Sequence, residues 1–253
     1  MNRDRPNERL SPQQIFRLRR MSTPTVYNGW ERITAHDASR EGFNPEETRD
    51  FAPELGPIAG RAVTCTVRVG GPAQADHRHR WAEFRRHVAE QGHAPSIIVI
   101  QDLDKPMLYG SVWGEIASHT FRSLGCVGAI IDGGVRDIDE CRAAGVKVLA
   151  RRACVGHGVG TIVAFGEPVE VFGRRVAPGQ LVHADQHGFL AVPPEDEALL
   201  LDAAESLDAA EAGLLQAARD HRGGSVEFLA RFDAAIDTFI AQAGKKFPSP
   251  GEW

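Results

Sequence analysis

Through its centre the chain alternates short apolar runs with amphipathic stretches, a rhythm that predicts strands and helices in turn. Ala62 to Val69 (AVTCTVRV) is rich in β-branched residues and alternates polar with apolar, which predicts a strand. Ser96 to Gln101 (SIIVIQ) and Val127 to Asp132 (VGAIID) are continuous apolar runs, the pattern of strands buried on both faces. Asp76 to Gln91 predicts a basic amphipathic helix, and Gly114 to Leu124 and Asp137 to Ala144 predict two more before a strand at Lys147 to Ala150. The character then changes. Pro168 to Phe172, Gln180 to Ala184 and Phe189 to Val192 read as short strands, separated by Gly173, Pro178-Gly179 and Gln186-His187-Gly188.

Helices bracket this centre. Ser11-Pro12-Gln13-Gln14 reads as a cap with proline in the first turn, and Thr25 to Ala35 places Val26, Trp30 and Ile33 at helical spacing. Glu195 to Ala218 is rich in Ala, Leu and Glu, and Ser225 to Gln242 follows as a last helix capped by Ser225. Residues 1–10 are polar and expected to be disordered. A βα-alternating half, an all-β stretch and terminal helices predict an α/β fold with layered, mixed sheets rather than a simple doubly wound one.

Composition narrows the function classes. The chain has 253 residues, 42% hydrophobic and 25% charged, as in an ordinary soluble globular protein. A net charge of -5 argues against a protein that grips nucleic acid by neutralising phosphates. The four cysteines (Cys65, Cys126, Cys141, Cys154) form no CxxC pair, so reduced thiols in a cytoplasmic protein are expected. The N-terminus MNRDRPNERLSPQQ lacks the apolar stretch of a secretory signal, and no apolar run is long enough to span a bilayer.

The segment Trp113 to Glu140 carries the most chemical information. A buried strand is expected to end at Asp132, with a Gly133-Gly134 turn before Val135-Arg136-Asp137 opens the next helix. Ligands of α/β proteins collect at the carboxyl ends of strands, where helix N-termini present free N–H groups. Asp137 there has two readings. With Glu140 three residues on, it forms a capping-box pattern; alternatively it is a metal ligand, with Arg136 holding an anion. The paired glycines either make a tight turn or permit close backbone approach. Gly114-Glu115 begins a second helix, whose free amides suit a carboxylate and whose acidic first-turn residue suits the dipole in any case.

GEIA, GCVGAIIDGGVRDIDE, KVLARRACVGHG and GEPVEVFGRRVAPGQLVHADQHGFLAVP together resemble the RraA-like family. That family includes class II 4-hydroxy-4-methyl-2-oxoglutarate / 4-carboxy-4-hydroxy-2-oxoadipate aldolases and the regulator of ribonuclease activity A. The resemblance implies an αββα swivelling-domain-like fold, with an N-terminal extension at 1–21, a catalytic domain at 22–222 and a C-terminal helix and tail at 223–253. It implies that Asp137 ligates Mg²⁺ or Mn²⁺, otherwise water-filled, and that Arg136 pairs with the 2-oxo and carboxylate oxygens of a substrate. The backbone of Gly114, Glu115, Ile116 and Ala117 would cradle that carboxylate, with Glu115 near the metal through water. A neighbouring subunit of a homotrimer or hexamer would supply an acid, for which Asp208 and Glu211 are the candidates.

The implied reaction is retro-aldol cleavage or β-decarboxylation of a small 2-oxo acid such as oxaloacetate, through a pyruvate enolate. No lysine lies between Gly133 and Asp139, consistent with a route that needs no Schiff base. The competing reading is a non-catalytic regulator that binds a ribonuclease; a methyltransferase finds no glycine-rich nucleotide loop in the first half. Two segments depart from the family pattern. HRHRWAEFRRH brings His77 and His79, either a metal pair or a solvated face, and Cys154 to Gly160 forms a glycine-rich loop that could line the pocket and alter substrate choice. Its GxGxG lacks the downstream acid of a dinucleotide site. His119 is expected to be an exposed helix residue, and Asp185 and His187 to serve a turn.

Overall fold

The computed structural model describes residues 8–71, 76–92, 95–220 and 222–247. Its elements are α1 (Pro12–Leu18), α2 (Thr23–Glu31), β1 (Arg49–Asp50), β2 (Ile58–Arg68), α3 (His77–Gln91), β3 (Ser96–Asp102), β4 (Ser111–Trp113), α4 (Glu115–Ser123) and β5 (Cys126–Val135). They continue with α5 (Ile138–Ala143), β6 (Lys147–Ala153), β7 (Thr161–Phe165), β8 (Val169–Val171), β9 (Arg174–Val176), β10 (Leu181–Asp185), β11 (Gly188–Val192), α6 (Glu197–Arg219) and α7 (Ser225–Lys246).

One mixed sheet runs β1-β6-β5-β3-β2-β10-β11, with β4 added to β5 and β7 to β2. The β2, β3, β5 and β6 pairings are parallel, whereas β1, β7, β10 and β11 join antiparallel. The apolar runs explain the sheet's centre. In β3, Ile98 and Ile100 face one core, and Ile97 and Val99 face the other. Side chains alternate across a strand, so a run with no polar alternation must bury both faces. The first core is roofed by Phe84 and Val88 of α3 and Phe121 of α4. The second is covered by the β8–β9 ribbon through Val169, Val171 and Val176. The fold is layered α/β, as expected.

A third core joins α1, α2 and α6 to the sheet through Leu18, Trp30 and Leu200. Leu10 belongs to it, so the expected disorder of residues 1–10 does not hold at that residue; residues 1–7 and the proline-containing tail from 248 lie outside the described residues. Asp185 serves its turn by accepting the His187 N–H at 2.9 Å, and it also accepts the Thr23 N–H at 2.8 Å at the start of α2. Burial pushes His183 down to about 4, leaving it a neutral partner of Thr23 and the Leu18 carbonyl.

Three local expectations are corrected. Gly133 and Gly134 make no turn; both lie inside β5, which runs on to Val135. A Cβ at Gly134 would meet Cys154 Sγ at 2.8 Å and the Gly110 carbonyl at 2.9 Å, so close approach is what glycine provides there. The last helix is capped by Gly224 rather than Ser225, which is its first residue. The β7 and β9 strands were not anticipated; they are short, and their burial comes from distant partners.

Candidate functional site

The cleft forms where the parallel strands end. β4 lies beside the end of β5, with Ser111 opposite Gly134 and Trp113 opposite Val135. Ser111 Oγ donates to the Gly134 carbonyl at 3.0 Å and Trp113 Nε1 to Ser118 Oγ at 2.9 Å, so floor and helix are tied together. Trp113 also stacks on Phe121 with ring centres 5.2 Å apart. On this rigid base opens a cleft of about 340 Å³, within the range of small-ligand pockets.

Asp137 decides between the two sequence readings. It occupies the N-cap position of α5, but its side chain makes no capping hydrogen bond. Its backbone is left-handed (φ 53°, ψ 49°), a conformation that aspartate tolerates better than most residues. Its carbonyl still accepts the Cys141 N–H at 2.8 Å, so the helix begins normally. The carboxylate instead turns into the cleft. There it accepts the Glu115 N–H at 3.2 Å and Arg136 Nε at 3.1 and 3.2 Å. A short polar side chain held in an uncommon backbone conformation and aimed away from its own helix suits a functional position.

Gly114 permits this. A Cβ there would lie 2.4 Å from Asp137 Oδ2 and 3.3 Å from Arg136 Cγ. The Ser118 N–H is the first to reach back into α4, bonding the Gly114 carbonyl at 3.0 Å. The Ile116 and Ala117 amides precede it and have no acceptor within the helix. The Arg136 terminal nitrogens are likewise unengaged among the described residues, since its side-chain hydrogen bonds all run from Nε. The structure therefore brings together Gly114, Glu115, Ile116, Ala117, Arg136 and Asp137, the six positions expected to form one site.

Asp208 and Glu211 are not in this cleft; both lie on α6, where Glu211 bonds Asn28 and is pushed above its ordinary carboxyl range, mainly by burial. The Cys154 to Gly160 loop, expected as a possible wall of the pocket, lines it through His157; the lining residues not anticipated are Trp81 and Arg85 from α3, with Ser111, Val112, Trp113, Thr120 and Phe121 from β4 and α4. Trp81 Nε1 donates to the Gly160 carbonyl at 2.7 Å, fastening that loop to α3. The basic composition of HRHRWAEFRRH was the available signal; which of its side chains face the cleft depends on tertiary packing. His79 pairs with Glu83 at 3.2 Å, and His119 is exposed. Cys154 is held above its ordinary thiol range by burial, which disfavours a thiolate nucleophile.

Among the described residues no three His, Cys, Asp or Glu side chains converge as a metal cage. What the cleft offers is one projecting carboxylate with Glu115 beside it. That oxygen-only, sparse donor set fits a cation that keeps most of its waters, such as Mg²⁺, and does not fit a structural zinc.

Fold and cleft together define an α/β protein with an Arg-Asp pair and free helix amides facing a small-ligand cavity at its strand ends. The RraA-like sequence profile, described as Aldolase/RraA, matches residues 23–191, and the chain belongs to that family. A protein of Burkholderia mallei (strain SAVP1), provisionally named 4-hydroxy-4-methyl-2-oxoglutarate aldolase, is 32% identical over 170 residues, covering 65% of this chain and 94% of that protein. Other relatives are matched over a smaller part: Protein DlpA of Legionella pneumophila is 27% identical over 39% of this chain, which spans only 16% of its length. An uncharacterized protein of Methanocaldococcus jannaschii is 29% identical over 38% of this chain and 47% of its own length. Among solved structures, a protein from Pseudomonas syringae pv. tomato superposes with a TM-score of 0.69 at 19% identity, over 92% of this chain and 96% of that one. Streptomyces coelicolor RraAS2, described as an unusual member of the RNase ES inhibitor RraA family, gives 0.64 at 20% identity, over 85% and 100%. Both likenesses establish the fold.

Proposed function

We propose that this chain is a divalent-metal-dependent carbon–carbon lyase that cleaves or decarboxylates small 2-oxo acids to give pyruvate. The observation that carries the reading is the Asp137 carboxylate, turned away from its own helix into the cleft beside Arg136 and the α4 amides. A ribonuclease-binding surface has no need of that arrangement.

Asp137 would hold the ion, Mg²⁺ or Mn²⁺, with Glu115 close by. Such an ion, when bound, supplies Lewis acidity toward the substrate's carboxylate and carbonyl oxygens. The chain's own groups do the rest. The Ile116 and Ala117 amides, at the positive end of the α4 dipole, receive the substrate carboxylate. The Arg136 terminal nitrogens face the 2-oxo oxygen and are strengthened as charge builds there, so they favour the transition state over the ground state. In retro-aldol cleavage the substrate's 4-hydroxyl loses its proton, the C3–C4 bond breaks, and its electron pair passes into the pyruvate enolate, which is then protonated at C3. Glu115, exposed at the first position of α4, would take the hydroxyl proton. Decarboxylation of oxaloacetate needs no such base and yields the same enolate with CO₂.

The test is release of pyruvate from oxaloacetate and from 4-hydroxy-4-methyl-2-oxoglutarate, with and without Mg²⁺. Turnover is expected, and it should vanish with EDTA and fall at least about 1,000-fold in Asp137→Ala. Absence of turnover on both substrates in abundant Mg²⁺ would overturn the reading and favour a binding role.

A further inference from the structure

Four side chains of full charge line the cleft: Arg85, Glu115, Arg136 and Asp137. Arg136 and Asp137 are paired with one another. The Arg85 side chain makes no hydrogen bond or ion pair among the described residues. The Arg78 and Arg86 side chains of the same helix are likewise unpartnered among the described residues, and of the three only Arg85 lines the cleft. Arg80, a little over one turn earlier on α3, is spent on the Val163 carbonyl at 2.6 Å, on Ile162 and on Glu83.

The helix that carries Arg85 is firmly seated. Phe84 is fully buried and meets Phe121 of α4 with ring centres 5.7 Å apart, while Phe121 stacks on Trp113 of β4. Trp81, one turn before Arg85, fastens the His157-bearing loop through its bond to the Gly160 carbonyl. The α3 wall is thus fixed, through aromatic packing, relative to the helix whose amides face the cleft. Arg85 is exposed, and an exposed guanidinium without a partner, set on such a wall, is available to a ligand in the cavity. It is matched to a planar carboxylate, which it can meet with two parallel hydrogen bonds.

We propose that Arg85 is the specificity-determining residue of the cleft, receiving a second carboxylate of the ligand from the α3 wall while Arg136 and the α4 amides hold the 2-oxo acid group. The preferred ligands are then 2-oxo dicarboxylates, and 2-oxo acids with a single carboxylate bind more weakly. This assignment rests on the lyase reading for its placing of the 2-oxo acid group, and it can be tested without turnover.

The full chain in Mg²⁺ would be titrated calorimetrically with 2-oxoglutarate and with 2-oxopentanoate, which share a five-carbon chain and differ in the terminal carboxylate. The wild type should bind 2-oxoglutarate about tenfold more tightly. Arg85→Ala should erase that preference by weakening 2-oxoglutarate alone, and Arg85→Lys should keep part of it. The proposal is overturned if neither ligand binds, if the wild type shows no preference, or if the preference survives in Arg85→Ala. Failure of the lyase reading looks different: the preference follows Arg85, yet no pyruvate is released from oxaloacetate.

Discussion

At the scale of single residues, the site depends on a side chain that is absent. The Gly114 backbone is extended (φ -163°), a conformation open to any residue, so its requirement for glycine is one of space alone. A methyl group at that position would sit 2.4 Å from Asp137 Oδ2 and displace the carboxylate from the Glu115 N–H. Misplacing a reacting group by about 1 Å can cost on the order of 100-fold in rate. Gly114→Ala should therefore lower kcat/KM on oxaloacetate by about that factor. Its melting temperature should stay within about 3 °C of wild type, because the Asp137 side chain is already 31% exposed and can swing outward. Unchanged kinetics in this variant would mean that the Asp137 position is not what the cleft depends on.

At the scale of elements, the sequence made visible what local pattern controls. The apolar runs of β3 and β5 and the helical spacing of α3, α4 and α6 were all readable, because burial on one or both faces leaves a period in the chain. Arg136 and Asp137 were readable for a similar reason, as they follow a strand and open a helix. The orientation of Asp137 was not readable. Its spacing to Glu140 fits a capping box equally well, and only the left-handed backbone, which local spacing does not reveal, accompanies the turn of the carboxylate into the cleft. Trp81 and Arg85 were missed because they reach the cleft from α3 across tertiary distance. The same blindness hid the tie that anchors α6. Glu197, buried at its start, accepts the Leu10 N–H at 2.6 Å and pairs with buried Arg61 of β2, 136 positions away. Removing one partner of a buried ion pair strands the other's charge and costs roughly 3–5 kcal/mol. Glu197→Ala should therefore lower the melting temperature by about 10 °C, with a smaller loss in Glu197→Gln. A shift below about 2 °C in thermal unfolding would show that water reaches Arg61 and that this tie contributes little.

At the scale of the whole molecule, the question is what covers the surface around the cleft. Ile116, at the mouth, is 82% exposed, and Val155, in the loop that supplies His157, is 96% exposed. The outer α7 helix shows Val226, Leu229 and Ile240 to solvent in the same way. Single exposed apolar residues are ordinary, but here Ile116 lines the cavity and Val155 stands two residues from the lining His157, and burying each would gain about 1.5–3 kcal/mol. The resemblance noted from sequence implies a trimer or hexamer with a neighbour's acid at each cleft, and Asp208 and Glu211 stand on α6 outside this chain's own cavity. We therefore expect light scattering to give three or six times the 27.6 kDa of one chain. Ile116→Asp and Val155→Asp, each burying a charge in such an interface, should shift that mass toward a folded monomer with circular dichroism unchanged. Turnover should fall with the loss of assembly if a neighbour completes the site. A wild-type chain that is monomeric at assay concentration and fully active would show that each cleft works alone, and that its apolar rim meets only substrate.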